Sequence, residues 1–234
     1  RPPFFLSKIN LQFRYIYMRL ELTIPTDLSE ITLEQYQKYL KAIDEAKTEY
    51  EIGSKMIEIF CNVEYEDVYK FKMSQITNIS KTLERVFQQE TPDLIKHFKI
   101  DNIEYGFIPN LDEMTFGEYV DLDTYLKDWQ EMHRSMNVLF RPVTQKFKGK
   151  YNIDVYKPNG AELIKKMPMD VCFSSIVFFY NLGKELSRTI LHYLNPQEIA
   201  QLHQSEISQQ NGVGINQFLH SLKKMLDTSK ILLN

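Results

Sequence analysis

At 234 residues the chain is long enough for one large domain or two small ones, which excludes a mini-protein held together by disulfides. Its formal net charge of -3 gives no overall positive field, so the charge balance argues against a nucleic-acid-binding protein. Cys61 and Cys172 are the two cysteines and form no CxxC pair, which excludes a disulfide framework and a cysteine zinc site.

The N-terminal region allows two interpretations. Residues 19–24 alternate apolar and polar side chains and are predicted to form a strand. In one interpretation Met18 is the initiator and residues 1–17 are an upstream extension. In the other, residues 1–17 include a further strand, because Leu11, Phe13, Tyr15 and Tyr17 also alternate.

Residues 30–90 are predicted to be mostly helical. Thr32 and Gln35 fit the capping-box pattern that opens a helix, because the Thr hydroxyl and the Gln side chain can each satisfy a backbone amide. Helical spacing of apolar residues predicts two further helices, over residues 50–61 and 74–88, with a short connector or helical turn at 63–70.

A β-hairpin is predicted at residues 94–108. Two aromatic-rich apolar runs flank Asp101 and Asn102, which tolerate the left-handed backbone that a two-residue turn requires. Together with the strand at 19–24, this hairpin makes a small antiparallel β element. The predicted fold class is therefore α+β and mainly α, with residues 18–194 forming a single helical domain.

A second capping box, at Thr115 and Glu118, predicts the start of a helix. Apolar spacing carries it to Phe140, as one helix or as two with a bend near residues 127–128, and Arg141-Pro142 ends it. Residues 144–154 are predicted to be a loop or hairpin, and residues 161–166 a short helix.

A long helix is expected from Pro168, in its first turn, to about Leu194. Its apolar stretch, residues 171–182, is shorter than the roughly 20 residues that a membrane span requires, so it is predicted to be a core helix and not a membrane segment. Residues 195–214 are polar and are predicted to be a linker. Residues 215–234 are predicted to form a C-terminal amphipathic helix, which either folds back on the domain or is offered to a partner.

No catalytic, cofactor-binding or metal-binding residue is predicted. Asp121 and Asp123 lie two positions apart on a helix and so point in different directions, and no histidine has a metal-ligand spacing. Ser174 and Ser175 lack the Gly-x-Ser-x-Gly motif of a nucleophile. Glycine-rich phosphate-binding motifs are also missing, which favours a binding or structural role over an enzyme and predicts no cofactor.

Several segments between residues 20 and 194 carry a resemblance to known proteins: Ile31–Tyr36, Ile57–Cys61, Tyr65–Val68, Ile108–Asn110, Met114–Asp123, Trp129, Met132-His133 and Val138–Val143. With these segments the chain resembles a family of small, largely helical proteins that tailed bacteriophages encode among their virion genes, similar to tail assembly chaperones or other morphogenesis proteins. It implies a protein without catalysis or cofactor that acts in the host bacterial cytoplasm during assembly or in the virion.

Two functions from this class, and one outside it, follow as hypotheses. The first is a morphogenesis protein that binds other virion proteins, including a tape-measure-like helical protein, during tail assembly; homo-oligomerisation is left open. The second is a structural virion component at a head, neck or connector interface, and the third is an uncharacterised enzyme. The rigid rings of aromatic residues and the flexible thioethers of methionines suit contacts with apolar partner helices. In the alternative interpretation the same side chains form the core of the domain. The predicted partner-binding residues are Tyr119, Tyr125, Trp129, Met132, Met136, Phe218, Leu222 and Met225.

Overall fold

A computed structural model describes residues 10–15 and 18–193, together with His220, residues 223–225 and Asp227. The chain forms two compact units. Among the described residues, unit 1 comprises those up to Glu90 together with Lys165–Met169, and unit 2 comprises Thr91–Ile164 and the residues from Asp170 onward. The region expected to be a single helical domain, residues 18–194, is accordingly described below as two units.

Unit 1 opens with two antiparallel strands. Strand β1 (Asn10–Tyr15) pairs with β2 (Met18–Thr23) in a continuous register from Asn10 opposite Thr23 to Tyr15 opposite Met18. The strand predicted at 19–24 therefore exists, one residue earlier than expected. Of the alternating residues noted upstream of it, Leu11, Phe13 and Tyr15 lie in β1, and Tyr17 lies outside the described residues.

Four helices complete unit 1. They are α1 (Leu33–Glu45), α2 (Glu49–Phe60), α3 (Tyr65–Val68) and α4 (Met73–Phe87). The helices predicted at 50–61 and 74–88 are each found within one residue of those bounds, and the short connector or helical turn predicted at 63–70 contains α3. The predicted capping box opens α1, where Gln35 N–H donates to Thr32 Oγ1 at 3.2 Å and Thr32 N–H donates to Gln35 Oε1 at 2.9 Å. An aromatic cluster joins the helices, with Phe60 5.0 Å from Tyr39 and 5.2 Å from Phe87 between ring centroids.

The first amides of α1 are satisfied by a distant segment. Leu33 N–H donates to the carbonyl of Met167 and Glu34 N–H to the carbonyl of Lys165, both at 2.8 Å, while Met169 N–H donates to the carbonyl of Ile31 at 2.9 Å. A helix start leaves such donors without intrahelical partners. Residues 165–169 thus complete unit 1, although they lie about 75 residues beyond the rest of it in the sequence.

As far as Tyr193, the described residues of unit 2 form a four-stranded antiparallel sheet and four α-helices. In chain order these are β3 (His97–Ile100), β4 (Ile103–Phe107), α5 (Phe116–Tyr125), α6 (Met132–Leu139), β5 (Phe140–Phe147), β6 (Lys150–Ile153), α7 (Ala161–Ile164) and α8 (Met169–Tyr193). The strand order is β3-β4-β5-β6. The α+β, mainly α prediction is confirmed.

Both hairpins of this sheet turn on left-handed residues. The predicted turn between β3 and β4 has φ values of +47° at Asp101 and +68° at Asn102. The turn between β5 and β6 has +48° at Lys148 and +79° at Gly149, so the hairpin alternative for residues 144–154 is confirmed. Two positive φ values in a two-residue loop are typical of turns that match the twist of the strands.

The helix after the second capping box is interrupted. It ends at Tyr125, a 3₁₀ turn follows at Trp129–Glu131, and α6 begins at Met132, so the alternative with a bend near residues 127–128 is confirmed. The helix ends at Leu139, one residue before the expected Phe140, but the strand β5 that begins at Phe140 was not predicted. Pairing with β4 explains the difference, since Phe140 lies opposite Phe107 and Pro142 opposite Tyr105.

The core of unit 2 lies between the sheet and α8. Phe107 packs against Phe140, Phe178 and Phe179 at centroid distances of 5.3, 5.8 and 6.3 Å. The apolar stretch predicted to be a core helix lies in α8, where residues 171–176 are buried. Ser174 is also buried, and its hydroxyl oxygen accepts from Ile95 N–H at 3.2 Å.

The C-terminal predictions fall mostly outside the described residues. This applies to the linker at 195–214 and to Phe218 and Leu222. In the predicted terminal helix at 215–234, His220, residues 223–225 and Asp227 are helical, and Met225 is buried.

Candidate protein-binding site on α5

A capping box fixes where α5 begins. Thr115 Oγ1 accepts a hydrogen bond from Glu118 N–H at 3.3 Å, and Glu118 Oε2 accepts from Thr115 N–H at 2.7 Å and from the Thr115 hydroxyl at 2.9 Å. Both capping residues therefore satisfy donors that the helix start would leave unpaired. Phe116 is consequently held at the first position of the helix.

The other oxygen of the Glu118 carboxylate ties α5 to the sheet. Arg141 Nη1, from β5, lies 2.8 Å from Glu118 Oε1, and only 11% of the Arg141 side chain and 7% of the Glu118 side chain are exposed. Little water screens such a buried pair, so the attraction between its charges is stronger than in a surface ion pair. If one partner were removed, the other would remain as a buried charge without a counter-charge. The orientation of α5 about its own axis is thereby set.

This orientation leaves one apolar side of α5 in solvent. Phe116 is 83% exposed, Tyr119 59% and Val120 41%. Residues three or four apart in a helix are neighbours on one side, so the three side chains form a continuous surface, here named the α5 face. Leu122, by contrast, is buried, as is Leu126 just after the helix. An α-helix that is apolar on both its buried and its exposed side is typical of a binding surface.

Acidic side chains border the α5 face. Asp112 and Glu113 are exposed in the 3₁₀ turn just before the helix. Asp123 lies one turn beyond Tyr119, where Lys127 Nζ pairs with it at 3.0 Å. Among the described residues, Asp112 and Glu113 form no ion pair, whereas Asp123 pairs with Lys127. The N-terminal side of the face therefore carries a net negative charge.

A cleft of about 420 Å³ separates the start of α5 from the segment after β6. Its walls include Glu118, Arg141, Asp154 and Tyr156, together with Val155, which is 75% exposed. Tyr156 donates its hydroxyl proton to Asp121 Oδ2 at 2.7 Å. Burial, followed by this hydrogen bond to a carboxylate, raises the pKa of Tyr156 above its usual value.

The acids in and beside this cleft have structural partners. The Lys157 ammonium, 3.0 Å from Asp154, is the largest of the influences that lower the pKa of Asp154, and a hydrogen bond from the Val155 amide adds to it. Asp121 binds Tyr156 and Asp123 binds Lys127, so the two carboxylates point to different neighbours, as helix geometry predicted. Among the described residues no group of three His, Cys, Asp or Glu side chains is placed to hold a metal ion.

The predicted partner-binding residues divide by exposure. Tyr119 lies on the α5 face, and Tyr125 is half-buried with the Arg134 guanidinium 5.1 Å from its ring centroid. The other three predicted residues between α5 and the end of α6 are in the core: Trp129, which packs against Phe173, and Met132 and Met136, which are fully buried. Little or none of their side-chain surface is exposed in this conformation.

Sequence reasoning missed Phe116 and Val120. Both lie at helical spacing from Tyr119, and this spacing was the signal that could have identified them. Periodicity alone did not separate the exposed side from the buried one, because α5 carries apolar residues on both.

Comparison of the chain with protein-family models, curated proteins and solved structures gives no match. Within the described residues no helix combines the length and the apolar character that crossing a membrane requires.

Proposed function

We propose that this chain is a bacteriophage morphogenesis protein that binds other virion proteins during tail assembly, in the manner of a chaperone. The observation that carries the proposal is the α5 face, which holds Phe116, Tyr119 and Val120 in solvent. The resemblance to virion proteins of tailed phages supports the setting, which is the cytoplasm of the infected bacterium. The partner is an apolar helical segment, such as one of a tape-measure-like protein.

The α5 face has the composition of a binding hot spot. Aromatic side chains bury a large area with few rotatable bonds, and they dominate the energy of many interfaces. The capping box and the Glu118–Arg141 pair hold the helix in place before any partner arrives. Binding then costs little backbone entropy, since the helix is already formed.

Co-expression with a long helical virion protein of the tape-measure kind tests the proposal. The wild-type chain should co-purify with that protein and increase its soluble fraction. The variant Phe116→Ser/Tyr119→Ser should lose both effects, because it removes the exposed rings without touching a buried side chain. The matched control is Tyr50→Ser/Tyr69→Ser, which removes two rings that are 68% and 73% exposed in unit 1 and should behave as wild type.

The outcomes separate the proposal from its alternatives. Failure of the wild-type chain to bind or solubilise the helical protein contradicts the chaperone function. Equal losses in both variants would show that the effect is not specific to the α5 face. Mass spectrometry of purified particles distinguishes the two virion roles, because a chaperone should be absent and a head, neck or connector component should be present in stoichiometric amount.

A further inference from the structure

Another exposed aromatic residue of unit 2, besides Phe116 and Tyr119, lies at the end of the β5–β6 hairpin. Phe147 directly precedes the turn and is 72% exposed, and the exposed residues Lys148 and Lys150 follow it. The Lys148 ammonium is 5.3 Å from the centroid of the Phe147 ring. We name these three residues the basic tip. It presents an apolar ring within positive charge, whereas the α5 face presents apolar rings within negative charge.

The basic tip is built on an anchored hairpin. Tyr151 donates its hydroxyl proton to the carbonyl of Phe107 at 2.6 Å, and Lys146 Nζ lies 2.6 Å from Glu104 Oε1. The Tyr151 ring packs over Gly106, where the absence of a side chain leaves room for it, since a Cβ there would lie 2.8 Å from Tyr151 Cε2. Lys146 is therefore paired with an acid of its own chain. Lys148 and Lys150 form no ion pair with any described residue.

We propose that the basic tip of one copy of this chain docks on the α5 face of a second copy. Phe147 would pack against Phe116 and Tyr119, and Lys148 and Lys150 would face the acids that border the face. Charge complementarity favours this occupant over nucleic acid, because the tip is a small positive patch on a chain of net charge -3 that also carries its acidic counterpart.

Within one copy, the lysines of the basic tip form no ion pair with the acids that border the α5 face. Gly149 and Lys150 line a groove of about 800 Å³ together with Asp112 and Glu113, so open space separates the basic and acidic sides within the chain. No ion pair of 4 Å or less joins them among the described residues. A single turn against a single helix buries less than the roughly 1,600 Å² of a standard interface, so the contact should be weak and concentration-dependent.

The inference goes beyond the proposed function, although both use the α5 face, and it is tested on the purified chain alone. Sedimentation velocity over a concentration series should show reversible self-association of the wild-type protein. The tip variant Phe147→Ser/Lys148→Glu and the face variant Phe116→Ser/Tyr119→Ser should each raise the dissociation constant about tenfold or more. The control Tyr50→Ser/Tyr69→Ser should associate like wild type, and far-UV circular dichroism verifies that every variant is folded.

Mixing provides the decisive measurement. An equimolar mixture of the tip variant and the face variant should recover association, because the first keeps an intact α5 face and the second an intact tip. Raising the salt concentration should weaken the complex, since exposed charges are screened. A wild-type protein that stays monomeric, an association that both variants retain, or a mixture that does not recover would each overturn the inference.

Two further outcomes keep this inference separate from the proposed function. The tip variant retains the α5 face, so it should still bind the helical virion protein even though it no longer self-associates. Failure of the wild-type chain to bind that protein therefore contradicts only the proposed function. Retention of a monomeric wild-type chain on single-stranded DNA, lost in the tip variant, would assign the tip to nucleic acid and overturn self-docking.

Discussion

Replacing Arg141 by methionine tests whether the Glu118–Arg141 pair holds α5 to the sheet. Methionine keeps most of the apolar volume of the arginine stem but removes the guanidinium that lies 2.8 Å from Glu118 Oε1. Glu118 keeps its two hydrogen bonds from Thr115, so the capping box survives the change. The variant therefore isolates the ion pair from the helix cap.

The expected cost follows from the burial of both side chains. With 7% of Glu118 and 11% of Arg141 exposed, the remaining carboxylate stays largely out of water without its counter-charge. Breaking one partner of a buried pair costs about 3–5 kcal/mol. The lower end of that range applies here, because Thr115 continues to satisfy one carboxylate oxygen. For a chain of this size, about 3 kcal/mol corresponds to a fall in Tm of about 6–12 °C.

A double-mutant cycle provides the assay. Urea unfolding is followed through the fluorescence of Trp129, the single tryptophan, which packs on Phe173 in unit 2. Arg141→Met and Glu118→Gln should each destabilise unit 2. The double variant should lose less than the sum, with a coupling of about 2 kcal/mol, because it leaves no unpaired charge. A loss below about 0.5 kcal/mol in Arg141→Met, or strict additivity, would refute the reasoning.

Three other predictions concern packing and titration. Gly106→Ala should destabilise unit 2 by about 1–3 kcal/mol in the same fluorescence assay. The added Cβ would lie 2.8 Å from Tyr151 Cε2 and 2.9 Å from Val143 Cγ2. An unchanged unfolding midpoint would mean that these side chains move aside freely. Phe60→Ala should cost about 3–5 kcal/mol in urea unfolding followed by circular dichroism, since Phe60 is 2% exposed and contacts Tyr39 and Phe87; a loss below about 1 kcal/mol would contradict its place in the core. Burial raises the pKa of the Cys61 thiol from 9.0 to about 12. Between these pH values the unfolded chain loses the thiol proton and the folded chain keeps it, so the free energy of unfolding should fall as the pH rises from 9.0 to about 12. Below pH 9.0 the stabilising contribution of the buried neutral thiol is complete. Cys61→Ala should show a shallower alkaline fall than wild type, and parallel curves would contradict this origin.

Local features could be predicted from the sequence because their physics involves only neighbouring residues. The capping boxes at Thr32 and Thr115 each need only two residues three positions apart, whose side chains accept from each other's backbone amides, and both boxes are present. The turn at Asp101 and Asn102 requires only residues that tolerate positive φ. These signals gave the helix starts and the hairpins, and with them the fold class.

Features that depend on distant residues were not accessible in the same way. The start of β5 was missed because Phe140 continues the helical spacing of α6, and its pairing with Phe107, 33 positions earlier, decides its backbone. The same limit applies to the candidate site. Trp129 was predicted to bind a partner and Phe116 was not. The packing of Trp129 on Phe173 of α8 and the pairing of Glu118 with Arg141, both between residues distant in the sequence, accompany the burial of the first ring and the exposure of the second.

The carbonyls of Lys165 and Met167 that cap the start of α1 have a consequence for biosynthesis. A ribosome releases the chain from its N-terminus, so α1 to α4 emerge well before residues 165–169 do. Until then, the amides of Leu33 and Glu34 lack the carbonyl partners that the folded chain gives them. Unit 1 can therefore reach its final stability only after the whole β-sheet of unit 2 has been synthesised, and a nascent chain arrested before residue 165 should be the more protease-sensitive form.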